Sequence, residues 1–151
     1  MTVTVWSGNW AWSLPLIVVS VIFHVTCMAL INDGVVQATR ALKQRKNFIL
    51  MFAVVMGVTT LLATLLHASE AGMWAAVYWW LEALPDRKSA MLYSLNAMTT
   101  YGHESYGLAP HWQLMGALEA LNGVILAGMT TAFLYAIIRE VWPSNSGNAR
   151  G

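Results

Sequence analysis

The sequence predicts an all-α membrane protein in which three transmembrane helices are supplemented, between the second and the third, by a short helix that enters the membrane without crossing it. Three observations carry this expectation. Hydrophobic residues make up 58% of the chain and charged residues 10%, whereas about a quarter of an ordinary soluble domain is charged. Residues 10–32 and 48–69 contain no Asp, Glu, Lys or Arg, and each stretch is longer than the roughly 20 apolar residues that cross a hydrocarbon core. A third apolar stretch, 112–138, holds a single acid, Glu119. The net charge of +1 offers no excess with which to attract nucleic acid, so the expected surroundings are a lipid bilayer.

The first span is expected to be retained, because a cleaved signal peptide carries positive charge before its apolar stretch and here the first basic residue is Arg40. Within it, His24 reads as a buried, hydrogen-bonded residue, and Cys27 has no second cysteine to pair with. Arg40, Lys43, Arg45 and Lys46 follow the first span, and Arg139 and Arg150 follow the last. Between the second and third spans, Arg87 and Lys88 are offset by Glu82 and Asp86. Since cytoplasmic loops carry the excess of Lys and Arg, the N-terminus is expected outside and the C-terminus in the cytoplasm, with the protein multi-pass in the inner (plasma) membrane of the cell. Trp6, Trp10, Trp12, Trp74, Trp79, Trp80 and Trp112 then all fall near the outer boundary, where such rings favour the headgroup layer.

Residues 70–111 are more than a loop. The stretch "SEAGMWAAVYWWLEAL" reads as a helical continuation of the second span that is stopped at Pro85. Asp86 is a fitting N-cap, and "RKSAMLYSLNAMTT" reads as a helix of about twelve residues, roughly 18 Å long. That is too short to span, so the backbone beyond its end must find partners other than lipid, in protein or in water. The polar, glycine-containing stretch "AMTTYGHESYG" follows at once. The tail, 141–151, is rich in Ser, Asn and Gly and is expected to be disordered.

Span, re-entrant helix, glycine loop and span is the layout of pore-loop channels. In detail, "MLYSLNAMTTYGHESYG" followed by "WQLMGALEALNGVILAGMTTAFLYAI" resembles the bacterial two-transmembrane, potassium-channel-like family. The aromatic short helix, the Thr-Thr-x-Gly lead-in to the loop and the glycine-bearing last helix match in order over residues 48–139. The resemblance implies a homotetramer with a selectivity filter on its axis, no enzymatic activity, no cofactor, and K⁺ or Na⁺ as permeant ions. It divides the chain into an extra transmembrane helix with a basic cytoplasmic loop (1–47), a pore domain (48–140) and the tail. The family's Thr-Val-Gly-Tyr-Gly aligns with Thr100, Tyr101, Gly102, His103 and Glu104, so the second filter glycine is replaced by an acid. Weak selectivity is the expectation, because glycine alone takes left-handed backbone angles freely.

On this reading Thr99, Thr100, Tyr101, Gly102, His103 and Glu104 form the ion-conducting loop. Thr100, Tyr101 and Gly102 supply oxygens to a monovalent cation, and Glu104 with His103 rings the outer mouth. Gly123 and Gly128 are weighed as a gating hinge against close helix packing. Thr130, Phe133 and Ile137, at helical spacing from Gly123, are expected to line the cavity. Glu119 and Asn122 share a face and are expected to brace the last helix, with Glu119 reaching the short helix or His67 and Glu70; those two, three apart, read as a hydrogen-bonded pair. Two alternatives stay open: a non-conducting homologue that acts as a membrane scaffold, and a small membrane metal-binding enzyme or transporter using His67, Glu70, His103, Glu104 and Glu119.

Overall fold

A computed structural model describes residues 2–42, 48–102 and 107–141. The basic positions Lys43, Arg45 and Lys46, the mouth residues His103 and Glu104, and the tail from 142 onward lie outside the described residues. Four helices follow one another: α1 (Thr2–Leu42), α2 (Phe48–Trp80), α3 (Arg87–Met98) and α4 (Gln113–Val141). Three of them contain stretches long and apolar enough to cross a membrane: Ser7–Ala38, Ile49–Trp80 and Pro110–Glu140. Their apolar side chains point outward as well as inward, with Val18, Ile22, Leu30, Ile49, Leu61, Leu65, Val124 and Ile138 exposed. In water such a surface would aggregate; against lipid tails it is the ordinary condition.

α1 runs well past the 10–32 span expected of it. Its 41 residues correspond to about 60 Å. The overrun has a plain cause: a charge-free window marks where lipid is tolerated, while helical backbone continues through polar residues wherever no breaker intervenes. Pro15 lies inside the helix and costs it one backbone hydrogen bond.

α2 continues unbroken to Trp80, as the sequence reading required, but Pro85 does not stop it. The stop comes earlier, at Glu82, whose φ of 53° is left-handed. Ala83 N–H donates to Tyr78 O (2.9 Å) and Glu82 N–H to Trp79 O (3.2 Å), the paired bonds of a Schellman turn. Asp86 then opens α3. Its backbone is extended (φ −153°, ψ 165°), one carboxylate oxygen accepts from Ser89 N–H at 3.0 Å and the other from the Ser89 hydroxyl at 2.7 Å. These bonds hold the Asp86 carboxyl below the usual carboxylate range, the backbone bond contributing most. Arg87 lies over the Trp79 ring at 4.2 Å and ties the start of α3 to the end of α2.

The twelve residues of α3 bury Ser89, Ala90, Tyr93, Ser94, Ala97 and Met98, a stripe at helical spacing. The stripe sits between the second half of α2 and the first half of α4, and α1 packs on both of those helices. One core cluster joins Trp74, Tyr78, Tyr93, Leu108 and Met115, with Trp12, Leu16 and Trp112 against it. A second, towards the other end, joins Val35 and Ile137 with Ile31, Phe52 and Phe133.

Candidate functional site

α3 is seated by two glycines of α4. At Gly123 an added Cβ would lie 2.6 Å from the Met98 carbonyl oxygen and 2.7 Å from its Cα, so the helices touch backbone to backbone. At Gly116 an added Cβ would collide with the Tyr93 hydroxyl. Of the two readings weighed for Gly123, hinge and close packing, the contact supports packing. Gly128 has nothing within 4 Å of its Cβ direction and faces open space.

Beyond Met98 the chain turns sharply. Thr100 N–H donates to Ala97 O and Tyr101 N–H to Asn96 O, both at 3.1 Å, forming a second Schellman turn with Thr100 in the left-handed position (φ 56°). A β-branched residue there costs about 1–2 kcal/mol. Gly102 is also left-handed, at φ 96°, whereas Tyr101 between them is not. Tyr101 is 85% exposed, and Thr99, Thr100 and Gly102 are exposed with it. The loop is thus presented outward from a single chain, flanked by two openings. A groove of about 530 Å³ is lined by Thr64, His67, Thr99, Thr100, Val124 and Ala127 among others. On the other side of α3, Tyr93, Asn96, Gly102, Ala117 and Ala120 surround about 260 Å³.

The residues assigned to the cavity need correction. Thr130 and Ile137 are buried inside the chain and Phe133 packs with Ile137 against Val35, Phe52 and Ile31, so α1 and α2 cover the face that was expected to be free. The helical spacing was right, but it traced the face that seats α3 and not the one opposite. The open face of α4 that descends from the loop runs through Ala120, Val124, Ala127, Thr131 and Tyr135.

Glu119 and Asn122 do brace α4, through partners the sequence did not specify. Tyr78 O–H donates to Glu119 Oε2 at 2.8 Å, and Ser94 and Tyr93 of α3 lie by the carboxylate, on the short-helix side of the two expected. Asn122 Nδ2 donates to Ser20 Oγ at 2.9 Å. Thr130 lies 2.9 Å from His67 Nε2 and 3.4 Å from His24 Nε2. His67 Nδ1 and Glu70 Oε2 come within 3.1 Å without the expected hydrogen bond, and the bond to this carboxylate comes instead from His24 of α1, whose Nδ1 lies 2.8 Å from Glu70 Oε1. Asn9 went unremarked in the sequence and is central: its Nδ2 donates to His111 O at 2.7 Å and its Oδ1 accepts from Met115 N–H at 2.9 Å. It satisfies an orphan donor in the first turn of α4. A buried amide in an apolar helix was the available signal.

Comparison of the chain with known protein families, with curated proteins and with solved structures returned no match.

Proposed function

We propose that the chain is the subunit of a homotetrameric, potassium-channel-like channel that passes monovalent cations passively and with weak selectivity. The observation that carries the reading is the placement of α3. A twelve-residue helix too short to span is locked between two apolar helices by Gly116 and Gly123, and it delivers an exposed loop with alternating backbone hand. Backbone at membrane depth is stable only against protein or water. Further copies of the chain around a water-filled axis supply both. In that arrangement α3 is the pore helix, Thr100, Tyr101 and Gly102 direct oxygens at a dehydrating cation, and the Glu104 carboxylates exclude anions.

The excess of basic residues after the first and last spans supports an N-terminus outside and a C-terminus in the cytoplasm. The cavity below the filter is bounded by the open face of α4, from Ala120 to Tyr135. No bond is made or broken, and no cofactor takes part.

The test is flux into liposomes containing the purified protein. Monovalent cation uptake with exclusion of chloride is expected. Gly102→Ala, whose added methyl cannot take φ 96° without strain, should abolish it while the helix content stays unchanged. A purified, folded protein that passes no cation would overturn the proposal.

A further inference from the structure

We infer that His24, His67 and Glu70 form a binding site for a divalent transition-metal ion of the zinc class, clamping α1, α2 and α4 together. His24 and Glu70 are fully buried, and the ligand atoms of the three residues lie within 4.8 Å of one another. The contacts form a closed ring. Glu70 Oε1 lies 2.8 Å from His24 Nδ1, Glu70 Oε2 lies 3.1 Å from His67 Nδ1, and both Nε2 atoms converge on Thr130 Oγ1, at 3.4 and 2.9 Å.

Counting hydrogens shows what the ring lacks. With the carboxylate ionised, each neutral imidazole brings one hydrogen and the Thr130 hydroxyl a third, enough for the three hydrogen bonds of the ring, while Glu70 Oε2, facing His67 Nδ1, is buried with no hydrogen-bond partner. One contact would set acceptor against acceptor, and a net negative charge would stay buried among three apolar helices, where an uncompensated charge is costly. One added cation resolves both faults. If both Nε2–H groups donate to the Thr130 oxygen, which has two lone pairs, both Nδ1 lone pairs and the carboxylate face one another. The Thr130 hydrogen is then free for the preceding helical turn, as those of Thr59, Thr64 and Thr131 are.

Two imidazoles and one carboxylate are a zinc-class donor set that leaves one position open. A partner on the far nitrogen of each imidazole is what fixes such ligands, and here one hydroxyl serves both. Metal–ligand bonds of about 2.0–2.1 Å in a tetrahedron separate donor atoms by about 3.3 Å, so the two carboxylate–imidazole contacts, at 2.8 and 3.1 Å, need to open by only a few tenths of an ångström. His67 is 29% exposed and lines the 530 Å³ groove that reaches Thr99 and Thr100, which gives an ion and a fourth ligand a way in. The site stands whether or not the chain conducts.

The test uses the full chain in detergent, its fold checked by circular dichroism, titrated with Co²⁺ and Zn²⁺ alone. One Co²⁺ per chain with the absorption of a tetrahedral centre is expected, displaced by Zn²⁺. His24→Gln and Glu70→Gln should lower affinity by more than ~100-fold, and Thr130→Val by ~10–100-fold. Because these buried variants could fail to fold, His24→Cys and His67→Cys in a Cys27→Ser background provide the second reading: a folded protein should keep the ion and gain a thiolate-to-cobalt charge-transfer band. Folded wild-type protein that binds neither ion, so that a proton alone closes the ring, overturns the inference, as does binding unaltered by these replacements.

Discussion

At the scale of single residues, the last helix is defined by what each position touches. Gly123→Ala places a methyl against the Met98 backbone, which cannot yield as a flexible side chain does. We expect a loss of about 1–3 kcal/mol, as for other overpacked sites, together with loss of cation flux, measured by thermal unfolding and by uptake into liposomes. Gly128→Ala meets nothing and should be neutral or slightly stabilising in the same unfolding experiment. Equal effects of the two substitutions would contradict the assignment of Gly123 to packing. Tyr78→Phe removes the donor to buried Glu119 and should cost about 1–3 kcal/mol. Unchanged stability of that variant would show that the carboxylate has another partner. Glu119 was legible as a structural acid from its place in an apolar stretch. Its partner was not, because Tyr78 is 41 residues away and only the packing of α2 on α4 brings the two together. His24 was seen singly for the same reason: its partners lie on two other helices.

At the scale of elements, local chemistry was the more legible the shorter its range. Asp86 and the twelve residues after it carry a cap and a length, and both stand in the structure as read. The end of α2 was misplaced because Pro85 is a visible breaker, whereas a glutamate in the left-handed position leaves no mark in sequence. The face of α4 was misassigned because spacing identifies a stripe without saying which neighbour covers it. The cap yields a prediction with a sign. Hydrogen bonds from Ser89 depress the Asp86 carboxyl in the folded chain. The stability it contributes is therefore present above the unfolded carboxylate value and is lost as pH falls through the folded one. Asp86→Asn keeps an N-cap without the titration. Comparing the thermal unfolding of the two proteins from pH 7 down to pH 3 should show the wild-type advantage shrinking with acid. A constant difference would contradict the capping account.

At the scale of the whole molecule, the three apolar helices and their lipid-facing surfaces follow from composition, while the way they are fastened does not. α1 precedes the other helices in the chain, yet Asn9 clasps the start of α4, Ser20 meets Asn122, and His24 meets Glu70. α1 is thereby a structural partner of the later helices rather than an appendage. If the exposed loop lies at membrane depth, as proposed, it calls for copies around an axis, and native mass measurement should return a tetramer. A stable monomer or dimer would remove the pore. The central claim is that monovalent cations pass through a filter weakened at its outer half by Glu104, and current recordings in planar bilayers test it most directly. With potassium on one side and sodium at equal concentration on the other, the account predicts a reversal potential near zero, and under a potassium chloride gradient one displaced towards the cation equilibrium value. A reversal potential close to that of an ideally potassium-selective membrane, or a tetramer carrying no current, would contradict it.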